Sequence, residues 1–419
     1  MTYFGEVMRD APLAYWRLGE SSGATAADAS ANGRHGAWSG APALGQPGAL
    51  DSDPAARAAL FDGVDDRIDL PALPPLGDSL TVEFWFRPLA VGDASQCIFG
   101  RTDGALAVLF KSTGVLSVYY AGADHLSGAP IAYDTWHHVA VAIDGGAGTF
   151  YVDGAAAGSF ASFPSGFAPD RIGADAAGDR YKGYLAEVAL YGAGLGAERV
   201  AAHYAAAWRG LLGLRPRLRR ELRDEDAANQ RWSDDDLDRH LRRAADELSA
   251  VWPEPRKTTL TTAPGSRDLS LAPLDNLVRV EAVEFPAGSW PPEFVAFQTW
   301  GQTLTLLVEA PPSAAEDVVV YWARRHQLEL LTSTLPAEAE ETVLLGAGAF
   351  ALLELAQYGV DRVSVGGAGA AEGYRRQGEA RLREFRRGLR RFGDAARVRT
   401  ARLFAPAGPA ISRSTVAWG

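Results

Sequence analysis

The sequence predicts a multidomain fold, in which an all-β jelly-roll sandwich is followed by an α-helical domain that carries a β insert. Three patterns in the 419 residues lead to this prediction. Residues 1–208 consist of short apolar runs separated by Gly- and Asp-rich turns, which is typical of strands and hairpins. After Trp208, apolar residues recur at helical spacing among many charges. Between residues 258 and 323 the spacing returns to two, as on one face of a strand.

Short strands are predicted throughout residues 1–208, and Asp-Gly pairs lie between several of them. Both residues tolerate the positive φ of hairpin turns. Apolar residues alternate with others in the run 80–87, which places Leu80, Val82, Phe84 and Phe86 on one face of the predicted strand. No helix is predicted before about residue 197. The predicted strands cover residues 13–18, 58–61, 80–87, 106–110, 115–120, 136–143, 149–152 and 184–191.

The first part of the helical half carries clear start and stop signals. Ser233 and Asp236 have the spacing of a capping box, in which each side chain bonds the other residue's backbone amide. The amphipathic helix that follows is predicted to end before Pro253. A shorter helix is predicted over residues 217–228.

The second part of this half begins with the β insert, whose strands are predicted between prolines. A helix then begins at Pro336, since proline needs no amide partner at a helix start. Its run 343–353 is apolar all round, which predicts a central helix that ends at Gly359. Gly346 and Gly348 should let a neighbouring helix approach closely. The remaining predictions are strands over 277–285, 294–300, 303–308 and 317–322, a last helix over 372–392, and an extended tail after Gly393.

Charge divides the chain at the same boundary as the pattern of apolar residues. Residues 1–208 carry 12 basic and 23 acidic residues, so the whole net charge of -11 belongs to them. The resulting division is residues 1–208 for the jelly roll, 209–257 and 324–396 for the helical domain, 258–323 for the β insert, and 397–419 for a C-terminal arm.

Composition excludes several classes of protein. Cys97 is the one cysteine, so an intrachain disulfide scaffold is excluded. The N-terminal residues lack the apolar core of a secretory signal. The apolar run at 343–353 is too short to cross a bilayer, so no membrane segment is expected.

The sequence also predicts a protein without enzymatic activity. Retaining glycosidases need two carboxylates ~5 Å apart, and neither Glu83 nor Glu187 has a second carboxylate at an alternate position of its strand. His137 and His138 are consecutive in a predicted strand, so one faces the core and the other outward, and packing accounts for both. No phosphate-binding glycine loop, Cys/His metal cluster or nucleophile elbow is found.

Six motifs in the first half follow one another in the order of a known family. They resemble the laminin-G-like, concanavalin A-like jelly-roll domains, over residues 3–207. The resemblance implies a two-sheet sandwich that binds glycans or proteins, often with calcium. The motifs are AYWRLGE at 14–20, ALFDGVDDRIDLP at 59–71, TVEFWFRP at 81–88, TWHHVAVAIDG at 135–145, TFYVDGAAAG at 149–158 and GYLAEVALYGAGLGAERVAAHYAA at 183–206.

Calcium is the cofactor that this resemblance raises. Asp62, Asp65 and Asp66 cluster in one turn, and carboxylate oxygens suit Ca²⁺. The family commonly has an Asp before the Glu-Val of its last strand, where this chain has Ala186. The interpretation preferred here is that these aspartates shape the turn, and no cofactor is predicted.

The second half resembles the head–tail connector (adaptor) proteins of tailed bacteriophages, over about residues 209–396. The resemblance lies in LRRELRDEDAANQRWSDDDLDRHLRRAADELSAVWP at 218–253 and RRHQLELLTSTLPAEAEETVLLGAGAFALLELAQYGVDR at 324–362, followed by the Arg-rich helix. It implies a subunit of a ring, twelve copies in this family, below the portal protein, through which DNA passes. Portal and tail or stopper proteins would be its partners, and the C-terminal arm would dock on the portal.

Two charged groups are candidates for the ring or portal interface. The arginine helix has three interpretations, which are subunit or portal contact, a solvated face, and non-specific contact with DNA phosphates. The acidic stretch at the start of the earlier helix could pair with it across a ring interface, although acidic residues are also ordinarily favourable at a helix N-terminus. The candidates are Arg376, Arg383, Arg387, Arg390, Asp234, Asp235 and Asp238.

Together these inferences predict a structural virion protein, a head–tail adaptor with an outward lectin-like domain, assembled in the bacterial host cytoplasm and located at the virion neck. Two alternatives stay open at this point. One is a secreted or surface glycan-binding protein, which a signal peptide would favour. The other is a phage tail or receptor-binding component.

Overall fold

The computed structural model describes residues 2–92, 94–128, 130–358 and 370–400. Side chains are described within these ranges except for 358, 370 and 394–400. The chain divides into two compact units, unit 1 (Met1–Pro216) and unit 2 (Arg217–Gly419). The division falls inside a helix, Leu211–Leu222.

Unit 1 is a sandwich of two antiparallel β-sheets, so the predicted all-β architecture is confirmed. Its strands are β1 (Ala14–Trp16), β2 (Thr25–Ala26), β3 (Gly36–Ser39), β4 (Ala43–Pro47), β5 (Arg57–Asp62), β6 (Arg67–Asp69), β7 (Leu80–Pro88), β8 (Gln96–Gly100), β9 (Ala107–Phe110), β10 (Leu116–Tyr120), β11 (Ala123–Leu126), β12 (His137–Asp144), β13 (Ala147–Val152), β14 (Ala155–Phe160), β15 (Arg171–Ile172) and β16 (Lys182–Tyr191).

The strand order separates the two sheets clearly. The first sheet runs β14-β13-β12-β7-β16-β5-β4, and β1 also pairs with β16. The second sheet runs β11-β10-β9-β8-β15-β6-β3-β2. All strand pairs in both sheets are antiparallel.

The main core of unit 1 lies between the two sheets. The predicted inward face of β7 is confirmed, because Leu80, Val82, Phe84 and Phe86 all belong to this core. Trp85, on the alternate face of the same strand, belongs to a second apolar cluster on the outer side of the first sheet. Both faces of β7 are therefore covered, which explains why the strand is almost entirely buried.

Short helices cover the outer face of the first sheet. The prediction of no helix before residue 197 was wrong, since α1 (Tyr3–Arg9) precedes the first strand. Its seven residues are too few to show helical periodicity in the sequence. Tyr3 and Val7 are one turn apart and both are buried. Helix α2 (Ala197–Ala206) packs against α1, and together they close this face.

Several strands of unit 1 were not predicted, because they are at most six residues long and show no sustained apolar alternation. Strand β14, for example, has the sequence AAAGSF, and it becomes a strand by pairing with β13. Strand β8 pairs on both sides, with β9 and β15. The unpredicted strands are β2, β3, β4, β6, β8, β11, β14 and β15.

Unit 2 combines helices with a β insert. Helix α3 (Leu211–Leu222) leads into it, and the prediction of a helix over 217–228 was wrong at both ends. The helix stops at Leu222 because the next residue, Arg223, has a φ of 53°, which is outside the helical region. The rest of the predicted helix contains only a short 3-10 turn, Ala227–Asn229.

Helix α4 (Asp234–Val251) agrees with the sequence prediction. The Ser233 hydroxyl accepts a hydrogen bond from the Asp236 amide, and the Asp236 carboxylate accepts one from the Ser233 amide, both at 3.2 Å. This confirms the capping box. Trp252 is the C-cap, directly before Pro253.

The β insert folds into two three-stranded sheets, with the orders β17-β22-β19 and β18-β21-β20. Four of its strands were predicted, while β17 and β18 were not. Strand β17 starts before residue 258, because it pairs with β22 along its whole length. The strands are β17 (Glu254–Thr261), β18 (Asp268–Ser270), β19 (Leu277–Glu284), β20 (Phe297–Trp300), β21 (Thr303–Leu306) and β22 (Asp317–Arg324).

Helix α5 (Ala337–Tyr358) is the central helix of unit 2, as its apolar sequence predicts. Helices α4 and α6 (Ala370–Thr400) both pack against it. A Cβ atom at Gly346 would lie 2.8 Å from the Phe385 ring, so this glycine does allow the predicted close approach of α6. The predicted stop at Gly359 lies outside the described residues.

Helix α6 continues to Thr400, so the predicted change to an extended tail after Gly393 was wrong, and a C-terminal arm cannot begin at 397. Residues 394–400 contain no proline and are rich in Ala and Arg, which favour helix. Residues 401–419 lie outside the described residues. Within the described ranges, no helix has the length and apolar character needed to cross a bilayer.

Candidate functional site

The outer face of the second sheet carries a group of partly exposed polar and aromatic side chains. Tyr119 and Asp124 are directly opposite each other on β10 and β11, so their side chains share this face. The Lys111 ammonium lies 3.0 Å from the Asp124 carboxylate. Asp179 comes from the loop after β15, close enough for the charges of Lys111 and Asp124 to act on it. We call Lys111, Tyr119, Asp124 and Asp179 the second-sheet face.

The two carboxylates of the second-sheet face have opposite electrostatic surroundings. Burial raises the pKa of Asp179, and the negative charge of Asp175 adds to that rise. Burial also opposes the ionisation of Asp124, but hydrogen bonds from the Ser117 hydroxyl at 2.7 Å and from Lys111 outweigh it and lower its pKa. The face therefore presents hydrogen-bond donors and acceptors beside a partly exposed aromatic ring.

A buried carboxylate, Glu83, lies at the centre of the opposite side of unit 1. It is 0% exposed and faces α1 and α2 from β7. Its oxygens accept hydrogen bonds from His138 Nε2 at 2.7 Å, from the Tyr191 hydroxyl at 2.7 Å and from the Tyr3 hydroxyl at 3.2 Å. His203 Nδ1 also lies 3.0 Å from both Glu83 oxygens. We call Glu83 and these four partners the Glu83 cluster.

The Glu83 cluster holds a buried ion pair. Burial opposes ionisation of Glu83, but the charge of His203 and the hydrogen bond from His138 outweigh it and bring the pKa of Glu83 well below its usual range. Burial by itself would lower the pKa of His203, yet Glu83 and Asp10 raise it to about 9. His203 Nε2 donates to the Asp10 carboxylate at 2.9 Å, so both ring nitrogens are donors. Asp10 also bonds Arg199 of α2 at 2.8 Å.

A second buried carboxylate, Glu187, is stabilised differently. It accepts a hydrogen bond from the Tyr15 hydroxyl and pairs with the Arg17 guanidinium at 2.8 Å. Arg17 bridges onward to Asp53 at 3.1 Å. Burial raises the pKa of Glu187 in spite of these partners. Glu83 and Glu187 are both enclosed within unit 1, so neither is exposed to a polymer substrate.

The predicted aspartate turn is present, and its carboxylates bond the backbone. One oxygen each of Asp62, Asp65 and Asp66 lies within 4.8 Å of the others. Asp66 accepts from the amides of Ala41 at 2.7 Å and Asp62 at 2.9 Å, while Asp62 accepts from the amide of Val64 at 2.7 Å. Calcium needs six to eight oxygen ligands, so three carboxylates, two of which already bond backbone amides, fit that ion poorly.

The predicted acidic stretch has partners inside unit 2. The Asp234 carboxylate lies 2.7 Å from the Arg219 guanidinium, which also binds Asp224 at 2.7 Å. Asp238 is buried, with 5% of its surface exposed, and Asp235 is exposed. Arg219, which the sequence did not single out, therefore pairs with both Asp224 and Asp234.

The predicted arginines lie on the exposed side of α6. Arg376 binds Glu372 one turn earlier, at 3.0 Å. Among the described residues, no ion pair involves Arg383, Arg387 or Arg390. The three arginines thus form an exposed row without an ion-pair partner in the part of the chain that the structure describes, and we call it the arginine row.

Two exposed tryptophans in the β insert were missed by the sequence analysis. Trp290 is 92% exposed and Trp300 is 91% exposed. Each directly precedes a turn-forming residue, Pro291 or Gly301, instead of standing in an apolar alternation. That context was the available signal, because a tryptophan at a turn has little core to enter.

Comparison with known proteins supports the fold of the first unit. Residues 62–201 match the family model of the concanavalin A-like lectin/glucanases superfamily. The fold of the N-terminal region is that of a concanavalin A-like lectin or glucanase. This family match spans less than half of the chain. A search of curated proteins found none that matches the chain. The connector resemblance of the second half stays a prediction.

Several solved structures are similar to part of the chain. Domain 4 of AbnA, an extracellular arabinanase from Geobacillus stearothermophilus, is 21% identical with a TM-score of 0.38, over 46% of this chain and 98% of that one. A pentraxin from Limulus polyphemus is 18% identical with a TM-score of 0.29, over 34% and 79%. Trypanosoma rangeli sialidase is 12% identical with a TM-score of 0.37, over 46% and 32%.

Proposed function

We propose that unit 1 is a non-catalytic glycan-binding module and that unit 2 carries it as a head–tail adaptor at the neck of a tailed phage. The observation that carries the first part is the second-sheet face of a lectin-like sandwich. Tyr119 offers an aromatic ring opposite Asp124, and Lys111 and Asp179 add a charged donor and a charged acceptor near Asp124. An apolar ring beside a few convergent polar groups is the usual composition of a small-ligand site.

Glycan binding is preferred to glycoside hydrolysis because of the carboxylates. Hydrolysis needs a pair of carboxyl groups that flank an exposed glycosidic bond. Glu83 and Glu187 are enclosed within unit 1, and Glu83 is already held by the cluster around it. Asp124 and Asp179 of the second-sheet face are exposed enough to accept hydrogen bonds from sugar hydroxyls.

Binding to a glycan panel tests this assignment. Tyr119→Ala and Asp179→Asn should each weaken binding at least ~10-fold, as expected when a contact worth more than ~1.4 kcal/mol is lost. Asp78→Asn is the control, because Asp78 is an exposed aspartate outside the second-sheet face. A folded wild-type chain that binds no glycan of the panel, or variants that bind as well as wild type, would refute the glycan-binding role.

The adaptor role rests on the resemblance of residues 209–396 and on the plan of unit 2. Its central apolar helix α5 is packed by α4 and α6, and the β insert lies between α4 and α5 along the chain. The arginine row on α6 is a surface for the portal protein, because arginine is favoured at protein interfaces. Tail or stopper proteins would bind the same ring, and DNA would pass through it.

Electron microscopy of the protein with a portal protein tests the adaptor role. A ring with peripheral knobs, one for each lectin-like unit, is expected. Reversing the arginine row, with Arg383→Glu, Arg387→Glu and Arg390→Glu together, should abolish portal binding, while Arg242→Glu on the exposed side of α4 should not.

Two other outcomes would contradict the portal assignment. A chain that binds polysaccharide and ignores the portal would favour a surface or tail-fibre role. A row variant that binds the portal normally but has lost salt-dependent DNA binding would place the arginine row in the DNA channel.

A further inference from the structure

A groove between three helices of unit 2 has the composition of a protein-binding site. It is lined by Arg243, Phe350, Leu353, Glu354, Gln357, Leu382 and Arg386, and its volume is about 560 Å³. Phe350 forms an apolar floor, with the Arg243 guanidinium 3.9 Å from the centre of its ring. Arg386, from α6, is exposed at another edge. Pockets of ~300–1,000 Å³ hold small ligands, so an indole ring fits.

The β insert carries a side chain of the matching kind. Trp300 is 91% exposed at the end of β20, which pairs only with β21 among the described strands. Burying a large aromatic side chain is worth roughly 1.5–3 kcal/mol, so leaving Trp300 in water forgoes that stabilisation. Tryptophan is the best ring for cation–π contact with arginine and is enriched among the residues that dominate interfaces.

The β insert and helix α6 also carry net charges of opposite sign. The β insert, residues 258–323, contains eight acidic and two basic residues. Helix α6, residues 370–400, contains ten arginines and four acidic residues. Opposite net charges on two segments of one chain favour contact between these segments in different copies and steer their encounter.

We infer that Trp300 of one copy binds in the groove between α4, α5 and α6 of a second copy. Trp300 is 91% exposed, so it is free to enter a surface of another molecule. Such a contact is heterologous, because the two copies use different surfaces, and it repeats until a ring closes or a filament grows. Closure into a ring rests on the proposed adaptor function, whereas the contact between two copies does not.

Mixing two complementary variants of the full chain tests this contact. One variant, Trp300→Ala, lacks the tryptophan and keeps the groove. The other, Arg243→Glu with Arg386→Glu, spoils the groove and keeps Trp300. Each variant alone should be monomeric at concentrations at which wild type assembles, with affinity reduced at least ~10-fold. Their equimolar mixture should form a dimer and nothing larger, as sedimentation would show.

The controls separate loss of contact from loss of folding. Leu330→Ala removes an exposed apolar side chain outside the β insert and should assemble like wild type. Each variant, measured as a monomer, should have the same melting temperature as the wild-type monomer. Raised salt should weaken wild-type assembly, because the contact includes charge pairing.

Three results would overturn the inference. The first is a wild-type chain that stays monomeric, whether its groove is open or holds its own residues 401–419. The second is a Trp300→Ala variant that assembles like wild type. The third is a mixture of the two variants that stays monomeric. No portal protein is present in these samples. A chain that self-associates but ignores the portal therefore refutes the adaptor function and leaves this contact standing.

Discussion

Glu83 shows how a residue acquires its role from partners that are distant in sequence. His203 bonds it from 120 positions later, and Tyr3 from 80 positions earlier. From the sequence, Glu83 is a candidate only for catalysis, and its strand has no second carboxylate at an alternate position. In the fold it joins α1, α2, β12 and β16 to β7, so its role is to hold the helices on the first sheet.

Replacing Glu83 should destabilise unit 1 strongly. Glu83→Gln removes the negative charge and leaves Asp10 as the carboxylate that still bonds the buried His203 imidazolium. Breaking a buried ion pair in this way costs roughly 3–5 kcal/mol. Urea unfolding of the full chain measures the loss. Glu198→Gln, at an exposed position in the first turn of α2, is the control and should change stability by no more than about 1 kcal/mol.

Stability should also depend on pH through the same ion pair. The pKa of His203 is raised from 6.5 to about 9, so its contribution is complete below pH 6.5 and is lost as the pH rises through about 9. The pKa of Glu83 is lowered, so its contribution is present above its ordinary value of 4.5 and is lost as the pH falls below it. The free energy of unfolding should therefore be greatest between these limits.

Measuring the unfolding free energy between pH 5 and 10 checks this expectation. In His203→Gln the decline between pH 6.5 and 9 should disappear, whereas His125→Gln, outside the Glu83 cluster, should keep it. If the free energy of unfolding declines in the His203→Gln variant as it does in wild type, the decline comes from another titrating group.

At the scale of elements, α5 and α6 show what two glycines contribute to helix packing. Gly346 lies against the buried Phe385, whereas nothing is within 4 Å of a Cβ built on Gly373. The sequence indicated close approach at Gly346 from its apolar surroundings. It did not indicate which side chain approaches, because Phe385 comes from a separate helix.

The same substitution at these glycines should have opposite effects. Gly346→Ala should destabilise unit 2 by ~1–3 kcal/mol, because its methyl group would lie 2.8 Å from the Phe385 ring. Gly373→Ala should stabilise the exposed start of α6 by up to ~1 kcal/mol through helix propensity. Urea denaturation measures both. A stabilised Gly346→Ala variant would show that the helices can move apart without loss.

At the scale of the whole molecule, the two units have separate cores, and this should be visible in unfolding. Calorimetry of the full chain should resolve two transitions. Glu83→Gln should lower the temperature of one, and Gly346→Ala that of the other. A single transition that both variants shift equally would show that the units unfold together.

The net charge of -11 is distributed unevenly along the chain. It belongs to residues 1–208, while the rest of the chain is balanced overall but divided into an acidic β insert and an arginine-rich α6. For the proposed contact between copies, the relevant quantity is therefore the charge difference between these two segments and not the total.

The sequence alone determined the features that depend on neighbours along the chain. It predicted the alternation of β7, the capping box of α4 and the apolar α5, because turn chemistry, caps and periodicity are local. Its six motifs also placed the N-terminal region in a lectin-like fold. Only the tertiary structure decided which surfaces are covered. Trp16 is buried and Trp300 is 91% exposed, although both are tryptophans in strands, because burial depends on which elements pack above them.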